Sequence, residues 1–283
     1  MTSAPTRPVL RYHGGKWKLA QWIVAHLPPH HIYVEPFAGA ASVLMRKRPA
    51  HSEIINDLSS DVVNVFRVLR DPDRAQRLRE MIELTPFARE EFDATHRDAI
   101  PPDADQVERA RRTILRSFAG FGSGATNSAY RTGFRGTSSR SGTTPAVDWM
   151  HYPDQIDAFA ARLKRVTVEH CDAIDVIVAH DRANTLFYVD PPYVHSTRSS
   201  VVSGGRGVYE YEMTDEQHAT LAAVLRGVRG MVVLSGYRSA MYDDLYGDWT
   251  RLDRATHADG ARDRVESLWL SPRASAALRP AFK

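Results

Sequence analysis

Ile32-Tyr33-Val34-Glu35-Pro36-Phe37-Ala38-Gly39-Ala40-Ala41-Ser42 reads as a short strand running into a tight turn of small residues, after which Val43, Leu44 and Met45 begin a helix. Strand, turn and helix in that order form the first unit of a doubly wound nucleotide-binding sheet. The turn holds one glycine where dinucleotide sites carry three. That argues against a pyrophosphate cradle and still allows a ligand without phosphates.

Outward from this unit, Glu53-Ile54-Ile55-Asn56-Asp57 supplies a second strand that ends in an acid 18 residues after Gly39. An acid at that point suits the hydroxyls of a ribose. The competing reading is a cap for the helix over residues 59–69; the preceding turn favours the ribose. Upstream, Arg11-Tyr12-His13-Gly14-Gly15-Lys16 precedes an amphipathic pattern through Leu19, Ile23 and Leu27. Glycines and a lysine before a helix start favour an anion, although Gly-Gly-Lys alone more often marks a plain loop.

The sheet resumes with Val166-Thr167-Val168-Glu169-His170. Asp172, just beyond it, either contacts an adenine or caps the next helix. Leu186-Phe187-Tyr188-Val189 is a buried strand, Met231-Val232-Val233-Leu234-Ser235 a fifth, and residues 249–253 and 265–270 are expected to be an antiparallel pair at the edge. A helix is expected from Thr214, with Gln217 completing a capping box.

At the end of the buried strand stand Asp190-Pro191-Pro192-Tyr193. Each proline lacks an N–H and fixes φ, and Pro192 holds Pro191 extended. The Asp190 carboxylate and the Pro191 carbonyl are thereby rigid acceptors at the sheet edge, beside the Tyr193 ring. Such a corner suits a flat ring carrying an exocyclic amino group. A strand that simply ends in a proline turn is the bland alternative, which the flanking acid and aromatic disfavour.

Between Arg109 and Val147 lie seven arginines, six glycines and no acid, with Phe118, Phe121, Tyr130 and Phe134 interleaved. Positive charge, flexible backbone and rings suit a phosphate backbone and base edges; a solvated basic loop is the alternative. Residues 71–106 read as surface helices, and 194–208, rich in Ser and Gly, as a mobile cover.

The 283 residues are 43% apolar and 25% charged, the balance of an ordinary globular chain. A net charge of +3 says little by itself. One cysteine, Cys171, excludes an intramolecular disulfide and fits a reducing compartment. No His/Cys spacing suits structural zinc, and no apolar run is long enough to span a bilayer. A cytoplasmic protein is expected.

Four of these stretches, in this order, resemble the Dam-like DNA adenine methyltransferases: residues 11–16, Glu35 to Gly39, Asn56-Asp57, and Asp190 to Tyr193. Glu266-Ser267-Leu268-Trp269-Leu270 looks like the family's last strand. The likeness spans residues 10–270 and is weakest over 71–147. Tyr12 stands where relatives often carry tryptophan, and Ala41 where many have a second glycine.

The resemblance implies a Rossmann-like methyltransferase sheet: residues 1–70 and 165–283 as the catalytic domain, 71–164 as an inserted target-recognition region. It implies S-adenosylmethionine as methyl donor, held by Tyr12, Lys16, Glu35, Phe37, Gly39, Asp57, Asp172 and Asp190, with Lys16 near the methionine carboxylate. It further implies transfer to the amino group of a flipped-out adenine in double-stranded DNA, with Asp190, Pro191, Pro192 and Tyr193 catalytic and Tyr193 stacked on the base. Arg116, Asn127, Arg131 and Arg135 are expected on DNA, since arginine suits guanine and asparagine suits adenine. No metal is expected, the enzyme is expected to be a monomer, and restriction-modification is among the settings implied. Transfer to cytosine or to RNA adenine, and an inactive DNA-binding regulator, are the rival readings.

Overall fold

A computed structural model describes residues 4–97, 105–121, 132–136, 143–194, 211–257 and 263–278. Asn127, Arg131 and residues 195–208 of the expected cover lie outside these.

Among the described residues seven strands form one sheet: β1 (Ile32–Glu35), β2 (Ser52–Asn56), β3 (Val166–Glu169), β4 (Thr185–Val189), β5 (Met231–Tyr237), β6 (Thr250–His257) and β7 (Asp263–Leu270), with helices numbered in chain order from α1 (Ala20–Ala25) through α7 (Pro145–Met150) to α12 (Pro272–Leu278). Their order is β3-β2-β1-β4-β5-β7-β6. The pairs among β1 to β5 are parallel, whereas β7 runs antiparallel to both β5 and β6. The antiparallel edge pair is as the sequence suggests.

The central strands are buried on both faces because their apolar runs do not alternate with polar residues. In β4 successive side chains serve opposite cores: Leu186 and Tyr188 enter one apolar cluster, Phe187 and Val189 the other. The first cluster packs the sheet against α2 (Ser42–Arg46) and α3 (Ser60–Arg70); the second packs it against α9 (Ala173–Ala179), α10 (Asp215–Gly227) and α11 (Ala240–Tyr246). Helix α10 begins at the expected capping box, with Thr214 and Gln217 bonding each other's backbone N–H.

The helices over 71–106 are more than surface. α4 (Pro72–Glu83) buries Ala75, Leu78 and Ile82, and α5 (Arg89–Arg97) buries Phe92. These residues share a core with Phe118 of α6 (Gln106–Ala119), with Tyr152, and with Phe159 of α8 (Ile156–Leu163). The same cluster continues through α3 to Tyr33 of the sheet.

The described start of the arginine-rich stretch, residues 109–121, is likewise more ordered than its composition suggests. Arg109, Arg111, Arg112 and Arg116 all lie on α6, and each is paired with an acid. Arg109 and Arg116 meet Asp61 at 2.6 and 2.9 Å, and Arg111 and Arg112 meet Glu108 at 2.6 and 2.7 Å. Arg116 therefore departs from its expected place on DNA: its side chain is 1% exposed and also donates to Thr113 and to the Thr95 carbonyl. The acids that hold these arginines lie outside the acid-free stretch.

Candidate active site

The order of the strands reverses at β1 and β4, and in open α/β sheets ligands bind in the crevice at that switch point. Here a cavity of about 300 Å³ opens at the carboxyl ends of the strands. All eight residues expected to hold a cofactor line it: Tyr12, Lys16, Glu35, Phe37, Gly39, Asp57, Asp172 and Asp190.

Backbone geometry explains why the turn after β1 needs small residues. Gly39 has φ +48°, and a Cβ there would come within 2.9 Å of the Tyr12 ring, so both conformation and close approach call for glycine. Ala41 also has φ 48°, an uncommon left-handed alanine that costs roughly 1–2 kcal/mol relative to glycine. Its buried methyl group offsets part of that strain. Asn56 ties the turn to β3, donating to the carbonyls of Pro36 and Cys171 and accepting from the Cys171 N–H.

Asp57 does not cap α3 as the helix N-cap; Ser59 occupies that position. The Asp57 carboxylate instead accepts the Gly39 N–H at 2.8 Å and the Ser59 N–H at 2.8 Å, which fixes it at the cavity edge. Asp172 caps α9 through the Ile174 N–H and also lines the cavity.

Glu35 is 2% exposed, accepting from the Tyr33 hydroxyl at 2.5 Å and the Leu44 N–H at 2.7 Å. Burial pushes its carboxyl up from 4.5 to about 7. Across that window the folded chain keeps a proton that the unfolded chain has lost, so this group's contribution to stability falls as pH rises, by roughly 3 kcal/mol in all. Glu35→Gln, whose carbonyl can accept both bonds, is expected to be more stable than wild type by about 2–3 kcal/mol at pH 8 and nearly equal to it at pH 4.5. Urea unfolding at the two pH values measures this; identical pH dependence in both proteins would contradict it.

The proline corner closes the other side. Asp190 Oδ1 accepts from Ser235 at 2.8 Å, and Ser235 is in contact with the Tyr188 hydroxyl at 3.0 Å. Asp190 Oδ2 is 2.9 Å from Lys16 Nζ. The Lys16 ammonium, at the cavity wall, engages Asp190, bonds the Gly14 carbonyl at 2.6 Å and lies 4.7 Å over the Tyr193 ring. Tyr193 itself is buried. Its hydroxyl donates to Glu266 at 2.6 Å and its ring meets Tyr237 edge-on, so the stacking expected of it is not laid open in this arrangement. Pro192 lines the cavity and Pro191 is buried behind it.

Sequence reasoning missed Ser235, Tyr188 and Glu266 as parts of this corner. One signal was available: Glu266 directly precedes the run Ser267-Leu268-Trp269-Leu270 that reads as a buried strand end, and an acid buried there needs a partner. Arg135, expected on DNA, is among the described residues and lies 3.9 Å from Asp148. Burial and the neighbouring Arg11 push its guanidinium down to about 10.

Among the described residues the cavity lining sets four carboxylates (Asp57, Asp172, Asp190 and Glu212) and the partly protonated Glu35 against one lysine. That set repels a pyrophosphate and attracts a cation, while Phe37, Leu58 and Ile174 offer apolar walls for a flat ring. Fold and site together thus define an α/β enzyme with an acid-lined cavity beside a proline-fixed corner.

The chain matches the D12 class N6 adenine-specific DNA methyltransferases over residues 12–257 and belongs to that family. The DNA adenine methylase of Vibrio cholerae is 25% identical over 277 residues, covering 93% of this chain and 94% of that protein. The DNA adenine methylase of Escherichia coli K12 is 24% identical over 238 residues, 78% and 76% of the two chains. The Type II methyltransferase M1.LlaDCHI of Lactococcus lactis subsp. cremoris is 24% identical over 274 residues, 90% of each. The activity is therefore adenine-specific methylation of DNA from a methyl donor. No helix among the described residues is long and apolar enough to cross a membrane.

Proposed function

We propose that the methyl donor is S-adenosylmethionine and that the acceptor is an adenine extruded from double-stranded DNA into the mouth of the Asp190 cavity. The acid-rich lining beside the proline corner carries this reading. Bound there, the donor supplies a methyl group on a positively charged sulfur. Asp57 would hold its ribose hydroxyls, Phe37 and Ile174 would cover its adenine, and Glu35 and Asp172 would face its positive charge.

The target amine is a poor nucleophile because its lone pair is delocalised into the ring. Hydrogen bonds from its N–H groups to the Asp190 carboxylate and the Pro191 carbonyl favour a tetrahedral nitrogen with the lone pair available. Since the prolines fix these acceptors in advance, little reorganisation is needed when the base arrives. A base in a duplex cannot reach the cavity, so it leaves the stack at a cost of a few kcal/mol. Tyr193 stacks on it once the base displaces Lys16 from that ring. Arg135 with Arg11, and Asn127 and Arg131 of the insertion, meet phosphates and base edges. The enzyme acts as a monomer, needs no metal, and works where its DNA lies, in the cytoplasm.

Asp57→Ala tests the donor half of the reading. Loss of charge-assisted bonds to a sugar diol is expected to weaken S-adenosylmethionine binding by about 10- to 150-fold with the fold retained. Calorimetric titration measures it, and unchanged affinity would remove Asp57 from the site.

A further inference from the structure

Two carboxylates, Asp190 at 2.9 Å and Glu266 at 3.8 Å, share the single ammonium of Lys16. All three side chains are at least four-fifths buried, and Glu266 is 3% exposed. Glu266 stands on β7, one strand removed from the proline corner, and reaches it from below by accepting the Tyr193 hydroxyl. Its burial is unexplained by packing alone, since an isolated acid there would be costly. One ammonium cannot neutralise both acids. Among the described residues the corner therefore sets one cation against two acids in a poorly solvated site.

We propose that Glu266 is a positioning residue for methyl transfer: it is the second counter-ion of Lys16, taking up the ammonium when the adenine amine occupies Asp190 and keeping the corner negative. The need follows from the reaction. As the amine's lone pair forms the new N–C bond, the C–S bond of the donor breaks with its electron pair left on sulfur. Positive charge passes to the amine, which then gives its proton to the Asp190 carboxylate it is bonded to and, from there, to solvent. A Lys16–Asp190 pair alone is neutral, and its ammonium competes with the amine for the same carboxylate oxygen. With Glu266 present, a shift of about 1 Å moves Lys16 onto the second acid and frees Asp190 to accept the amine N–H. Burial holds the Glu266 carboxyl above its ordinary value while Lys16 and the Tyr193 hydroxyl pull it back towards the ionised form.

This role rests on the reading of the Asp190 cavity as the methyl-transfer site. Glu266→Gln keeps an acceptor for Tyr193 and removes the charge. It is expected to lower kcat about tenfold, less than a group in direct contact would, with KM for S-adenosylmethionine within about twofold. Tyr193→Phe, which keeps both charges, is expected to fall by less. Should Glu266→Gln not fold, the wild-type enzyme is crystallised with S-adenosylhomocysteine and a duplex carrying the methylated site. There Lys16 Nζ is expected nearer to Glu266 than to Asp190. A Glu266→Gln kcat within about twofold of wild type, a Tyr193→Phe loss as large as that of Glu266→Gln, or an ammonium still on Asp190 with the base bound would each overturn the proposal. In those cases the wild type still methylates DNA. A wild type that transfers no methyl group overturns the underlying reading and this role with it.

Discussion

Asp190→Asn is expected to cut methyl transfer to DNA by at least about 10²- to 10³-fold, the usual penalty for losing one preorganised polar group at a reacting centre. Asparagine keeps the shape, and its carbonyl can still accept from Ser235 or from the substrate, though not with a carboxylate's charge. Its amide also presents N–H donors where acceptors are required. In the bound state Lys16 would then have only Glu266 as an anionic partner in the corner. Binding of DNA should change little, because the proposed phosphate contacts, Arg135 among them, lie elsewhere. Single-turnover methylation and a DNA-binding titration on the same preparation separate the two effects. Activity near the wild-type rate would show that the corner does not serve the chemistry.

Arg116→Ala is expected to destabilise the fold by about 3 kcal/mol and to leave the affinity of the surviving folded protein for DNA largely unchanged. Removing one partner of a buried ion pair typically costs about 3–5 kcal/mol. The lower end applies because Arg109 remains on Asp61 at 2.6 Å. The guanidinium also closes bonds to Thr113 and to the end of α5 at the Thr95 carbonyl, so its loss opens a polar void between α3, α5 and α6. Urea denaturation reads the first effect. A stability equal to wild type, accompanied by weak DNA binding, would restore Arg116 to the DNA interface.

That residue also shows where sequence reading stops. The strands, their parallel and antiparallel pairing and the cavity-lining positions were legible, because apolar runs, a lone glycine and paired prolines each impose a local geometry that tertiary contacts do not override. Asp57 and Glu35 could be placed for the same reason: each follows directly from a strand end. Arginines carry no such constraint. Arg116 looks in sequence like its neighbours Arg111 and Arg112, and only the helix phase against Asp61 of α3 decides which one is buried. Lys16 and Glu266 are 250 residues apart in sequence; their meeting at 3.8 Å depends on the sheet order that sets β7 beside β5. Local pattern does not encode a contact of that range.

The central claim is that the acid-lined cavity delivers a methyl group to the amino nitrogen of adenine held at Asp190. Incubation of the purified protein with methyl-labelled S-adenosylmethionine and unmethylated duplex DNA, followed by digestion and mass spectrometry of the nucleosides, tests it most directly. The label is expected in N6-methyladenine with wild type and to be almost absent with Asp190→Asn; label in cytosine, or equal label from both proteins, would contradict the account.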